Sequence, residues 1–256
     1  MTSLTLSSPL RRRWFFPDAE TDGVLMLLAV FSCVLVGVRI VHTGRPTFLF
    51  MPWNLFLAWV PYFVSGRVTR RWGVRGDRGR GIGGRGVRVA GTAGREVGVA
   101  GLIIWLLFIP NSFYILTDLY HLADNHRSPR VPEWYDLILI LSFAWNGLLL
   151  GVRSVRQMER LLAPDASLLG RWVFLYPLMW LCALGVYIGR DLRYNSWDIA
   201  IRPAGLLSDV FTLIVHPVRH HMEWGMIFCY SILLTIMYSL LWKISSVNSG
   251  IGTASC

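Results

Sequence analysis

Six uncharged stretches constrain the fold more than any other feature of the chain. They cover residues 23–38, 46–66, 97–117, 137–152, 172–189 and 224–242, with lengths of 16, 21, 21, 16, 18 and 19. A helix needs about 17–25 mostly apolar residues to cross a hydrocarbon layer of ~30 Å. Four runs meet that length outright. Beside the first 16-residue run, Arg39 can reach the interface on its alkyl stem. Before the other, Trp134 and Tyr135 stand as interfacial anchors. A segment inside lipid must satisfy its own backbone, which for such runs means helix. The sequence therefore predicts an all-α polytopic integral membrane bundle of six transmembrane helices.

A seventh apolar piece, 210–218, has 9 residues. It rises only about 14 Å, too little to cross. It is expected to form a short interfacial helix within an outer-face segment 190–222, broken at Pro217. The first span follows Arg11, Arg12, Arg13, Phe15 and Phe16, a pattern of export leaders. Asp18, Glu20 and Asp22 intervene, however, and no small-x-small cleavage site follows. The helix is read as retained. The chain then divides into an N-terminal tail (1–22), a transmembrane domain (23–243) and a C-terminal tail (244–256).

Charge sets the orientation. The chain has 25 Lys and Arg, 15 Asp and Glu and a formal charge of +10. With the amino terminus inside, 17 basic and 7 acidic residues lie on the inner side and 8 of each sign lie outside. The whole net charge then falls on one face, so the positive-inside rule places both termini in the cytoplasm of a plasma membrane. Residues 66–95 alone hold nine Arg and ten Gly. Trp72 is the only aromatic residue there for base stacking, which disfavours nucleic acid as a partner. The segment 66–96 reads as a flexible, solvated cytoplasmic loop, with contact to anionic lipid as the rival reading.

Polar residues collect at the opposite level. The third span ends in WLLFIPNSFYILTDLYHL, where Pro110 kinks the helix and frees a carbonyl one turn earlier. Beyond it Asn111, Tyr114, Asp118, His121 and Asn125 recur at steps of three or four, one stripe on a helix. The fourth span enters through Glu133 and Asp136. The fifth leaves through YIGRDLRYNSWD, with Asp191, Asn195 and Asp198 on one face and Arg190 and Arg193 beside it. Ionisable groups near a membrane turn inward to a partner or a cavity. Two arrangements fit. One is a lock of Arg–Asp pairs and helix caps. The other is a convergent site, in which Asp118, His121, Asp136, Asp191 and Asp198 do proton or metal work while Asn111, Arg190, Arg193 and Asn195 hold a substrate. An Arg–Asp contact from 190–198 to Asp118 or Asp136 is expected if these ends converge.

Asp118 and His121, three apart, would be the first ligands of a metal that the pattern does not name. His216 and His220 make a single histidine box, fewer than a di-iron enzyme needs. No nucleophile motif and no glycine-rich loop joined to a lysine is present. Asn54 and Asn146, near mid-membrane, are read as interhelical hydrogen-bond formers.

The runs PWNLFLAWVPY (52–62), WLLFIPNSFYILTDLYHL (105–122), EWYDLILILSFAWNGLLLG (133–151) and GVYIGRDLRYNSWDI (185–199) resemble the domain-of-unknown-function 1361 family, over about residues 25–242. The resemblance implies a helical multi-pass membrane protein of a prokaryote. It implies no activity, cofactor or catalytic residue.

The function so read is a polar site at the outer membrane face that binds or processes a lipid-linked or small anionic substrate, whether as an enzyme or a binder. A transporter would need charge deep in the bundle, where only Asn54 and Asn146 are polar. A structural or assembly subunit would need no site.

Overall fold

The computed structural model describes residues 19–78, 92–124, 131–163, 168–194, 201 and 203–251. Helix is the only regular structure among them. The elements are α1 (Ala19–Thr43), α2 (Phe50–Arg78), α3 (Thr92–Tyr114), a 3₁₀ turn (Ile115–Tyr120) and α4 (His121–Asp124). They continue with α5 (Glu133–Leu162), α6 (Leu168–Arg190), α7 (Pro203–Val215) and α8 (His221–Ile251). Five stretches are long and apolar enough to cross a membrane: Glu20–Thr43, Gly98–Tyr120, Glu133–Leu162, Leu169–Arg190 and His221–Ile244. Large apolar side chains such as Leu27, Phe31, Ile103, Phe228 and Ile236 cover their outward faces. That much bare apolar surface belongs in lipid.

The second expected span, α2, differs from these five. Its 29 residues would reach about 43 Å, but Pro52, Asn54, Pro61 and Tyr62 dilute its hydropathy. The reason lies in its packing. Tyr62 and Ser65 are buried where α2 lies against α3 and α5, while Trp53, Phe56 and Phe63 cover its outward face.

The hub of the bundle is α5, with 18 of its 30 residues buried. Along one side it binds α1 through four polar links. Arg39 meets Asp136 in a two-pronged pair, Nε to Oδ1 at 2.6 Å and Nη2 to Oδ2 at 3.1 Å. The Tyr135 hydroxyl donates to the Leu35 carbonyl, and the Asn146 amide to the Leu25 carbonyl. Arg153 stands 3.9 Å from Asp22. Arg39 thus does not reach for the interface as its position suggested. It is only 3% exposed, with its guanidinium 4.4 Å over the Phe48 ring.

A second departure concerns the end of α5. The sequence predicts that the span stops near residue 152, with Arg153, Arg156 and Arg160 beyond it on the cytoplasmic side. The helix instead runs on to Leu162, with Arg153, Ser154, Gln157 and Glu159 buried. Partners on other helices make this affordable in free energy. Glu159 accepts from Arg156 at 2.5 Å, from Arg171 of α6 at 2.7 Å and from the Tyr238 hydroxyl of α8. The Trp242 ring lies 4.0 Å from the Arg171 guanidinium. Ser154 accepts from Trp105 of α3 at 2.8 Å and donates to the Pro61 carbonyl of α2 at 3.0 Å. Ser65 donates to Gln157 at 2.7 Å, and the Tyr62 hydroxyl donates to Asp22. At this end, here called the Glu159 end, side-chain hydrogen bonds tie α2, α3, α6 and α8 to α5, and α1 joins through the wider Arg153–Asp22 pair.

The basic segment is also more helical than expected, since α2 extends through Arg78 and α3 begins at Thr92; residues 79–91 lie outside the described residues. The short apolar helix α7 ends at Val215, before a turn at 217–220.

Candidate functional site

The opposite end of the bundle holds a cavity that begins with α3. Pro110 and the four residues after it are clasped between two pairs of glycines spaced i, i+4. On α5, a Cβ added at Gly147 would lie 2.8 Å from the Ser112 carbonyl oxygen, and one at Gly151 would lie 2.9 Å from the Phe113 ring. On α6, a Cβ at Gly185 would lie 2.6 Å from Pro110, and one at Gly189 would lie 3.1 Å from the Tyr114 ring. Small residues at this spacing let helices approach closely inside a membrane. The glycine pairs therefore fix how α3 passes between its neighbours.

After Tyr114 the chain tightens into the 3₁₀ turn. Three residues per turn align positions three apart, and Ile115 and Asp118 both turn inward. Asp118 is 1% exposed. Its Oδ2 accepts from the Asn54 amide of α2 at 3.3 Å, while its Oδ1, also buried, has no hydrogen-bond partner among the described residues.

Asn54 forms part of the wall of a cavity of about 230 Å³ between α2, α3 and α6, with α7 along one side. Most of that wall is apolar, including Leu57, Leu106, Leu107, Leu181, Leu184 and Ile188. The polar exceptions are Asn54, Asn111, Tyr114 and Tyr194. Tyr194 follows Arg193, whose φ of 58° turns the chain after α6. The Tyr194 hydroxyl donates to Asp209 of α7 at 2.9 Å, which brings Leu206 into the cavity wall.

Of the residues singled out from sequence, Asn111 lines the cavity and Asp118 stands directly behind Asn54. Arg190 lies 4.7 Å over the Tyr120 ring and within electrostatic reach of Asp118 and Tyr114. Asp191 sits on the exposed turn after α6. Partial desolvation raises its carboxyl above the ordinary value, Arg190 opposes the rise and Glu223 adds to it. Arg193 is exposed beside it. Two residues take other partners: Asp136 pairs with Arg39, and the His121 ring packs 5.2 Å from Phe50. No Arg–Asp pair as short as that of Arg39 and Asp136 joins the described 190–194 residues to Asp118 among the described ion pairs. Asn195, Asp198 and Asn125 lie outside the described residues. His220 faces Glu223 at 3.2 Å instead of joining His216. Among the described residues, no three His, Cys, Asp or Glu side chains gather as a metal site would require.

Sequence reasoning missed Leu206 and the glycine clasp as parts of this site. The clasp had a signal: Gly147 and Gly151, and Gly185 and Gly189, each repeat at i, i+4 within an apolar helix.

Residues 53–237 match the family described as Protein of unknown function (DUF1361). The chain belongs to this family. No curated protein and no solved structure matches it. The DUF1361 region contains every residue of the cavity wall. It leaves out α1, which nevertheless supplies the partners of Asp136 and Arg153.

Proposed function

We propose that this DUF1361 protein binds a lipid-like amphiphile in the cavity beside Asp118, from the outer leaflet of a prokaryotic plasma membrane. The observation that carries this reading is the division of the wall. Leucines and Ile188 line most of it, and Asn54, Asn111 and Tyr114 supply polar groups with the buried Asp118 behind. Ligand pockets combine these two features. The space holds about seven waters at ~30 Å³ each, enough for a head and a short length of chain. Any processing of the bound molecule would fall to Asp118, the buried acid behind Asn54. The transporter reading gains a buried charged cluster at the Glu159 end, but those groups are committed to one another.

The cavity is tested by filling it. Leu206→Trp places a ring in the α7 wall, whereas Phe211→Trp alters the same helix at an exposed position. Native mass spectrometry of protein extracted from cell membranes should show amphiphile retained by wild type and by Phe211→Trp, and lost from Leu206→Trp. Equal retention by all three, or none by wild type, contradicts the reading.

The proposal takes α2 as the sixth span and places both termini and residues 79–91 in the cytoplasm, on the positive-inside rule. A cysteine at Arg80 should then resist a membrane-impermeant thiol reagent in intact cells, and one at Ser128 should react. The reverse pattern would move the cavity to the cytoplasmic leaflet.

A further inference from the structure

We infer that the head of the cavity's ligand carries a hydrogen-bond donor, a hydroxyl or an ammonium, directed at Asn54 and Asp118; this rests on the cavity being a ligand site. As a carboxylate, Asp118 offers acceptors only. One of its oxygens is satisfied by Asn54, and the other is buried with no partner among the described residues. An unpaired buried carboxylate oxygen is costly, and a donor carried by a bound head would relieve that cost. Asn54 adds to this demand. Its amide nitrogen is directed at Asp118, which leaves its carbonyl oxygen as the atom turned away from that carboxylate.

The backbone points the same way. Pro61 and Pro110 have no N–H, so the carbonyls of Leu57 and Leu106, four residues earlier, lack their usual helical donor. Both leucines line the cavity. The acceptors at this wall thus include a carboxylate oxygen behind it, an amide oxygen, and two backbone carbonyls whose usual helical donor is replaced by proline. On the donor side, the Tyr194 hydroxyl is engaged with Asp209, the Asn111 amide donates to the Phe108 carbonyl at 3.2 Å, and Arg190 rests on the Tyr120 ring beside the Tyr114 hydroxyl, which also faces Asp118. Arg190 also has two acids within electrostatic reach, Asp118 and Asp191. An anionic head would meet those carboxylates as well as the guanidinium. A head with O–H or N–H groups satisfies the acceptors without that repulsion, and the leucine wall takes the alkyl chain.

Thermal unfolding of the wild-type protein in phosphatidylcholine nanodiscs tests this with four ten-carbon probes: decylamine, decanol, decyltrimethylammonium and decyl phosphate. Decylamine and decanol should raise Tm. The quaternary ammonium, which has no N–H, and the phosphate should not. The shifts should vanish in Leu206→Trp. A larger shift with the amine than with the alcohol, together with an affinity for the amine about ten- to a hundredfold weaker in Asp118→Asn, assigns the donor to an ammonium. Equal shifts that survive Asp118→Asn overturn the role of the carboxylate and leave Asn54 as the acceptor. Stabilisation by decyl phosphate alone, or equally by all four probes, overturns the donor inference and leaves the cavity as an amphiphile site. No shift with any probe overturns both.

Discussion

Arg39→Ala is expected to destabilise the protein by about 3–5 kcal/mol, because it leaves a buried carboxylate without its counter-charge. Arg39 and Asp136 are both about 3% exposed and share two bonds across the α1–α5 contact. Asp136→Ala should cost a similar amount for the converse reason. Replacing the pair by apolar residues of similar volume, Arg39→Met with Asp136→Leu, should restore most of the loss, since an ion pair out of water is worth little more than good packing. Denaturation in detergent micelles measures all three variants. If the double variant were no more stable than the singles, the loss would come from packing against Phe48 and not from stranded charge. The same pair bears on the fate of α1. Removing that helix would leave Asp136 in the same unpaired state, so a chain truncated before residue 44 should accumulate poorly in the membrane.

Glu159→Ala should rank beside it, again at about 3–5 kcal/mol, because one carboxylate holds three helices. Arg156, Arg171 and Tyr238 all donate to it, and at 4% exposure solvent offers no substitute acceptor. Hydrogen exchange should rise mainly in α6 and α8 near Arg171 and Tyr238. The α1–α2–α5 side has its own bonds at that end, through Asp22, Tyr62 and Arg153, and should stay protected. Glu159→Gln keeps an acceptor and should cost less than alanine. Uniform exchange across the whole bundle would contradict a local clamp.

The sequence readily showed what depends on composition along one helix. Five of the apolar runs became membrane-length helices, and residues 210–215 of the nine-residue piece form the end of α7, which stops before Pro217. What it hid depends on partners from other helices. Uncharged-run counting ended the fourth span before Arg153, because a charge stops a run whether or not it is paired. Only the fold brings Asp22, Arg171 and Tyr238 to that helix and lets it continue to Leu162. Arg39 is buried for the same reason, its partner lying 97 residues away. The stripe at Asn111, Tyr114, Asp118 and His121 was drawn for an α-helix. The change to 3₁₀ after Tyr114 alters the turn, so Asp118 is buried behind Asn54 while His121 packs against Phe50. The glycine pairs were visible in the sequence, and their spacing is the most direct local sign of where α3 would be held.

The most direct test of the cavity as an amphiphile site is a structure of the protein purified from its membrane into nanodiscs without added ligand. Elongated density should lie between α3 and α6, against Leu107 and Leu184, with its head within hydrogen-bond distance of Asn54 or Asp118. A cavity collapsed onto its own side chains, or one holding only separate waters beside Asp118, would contradict that claim.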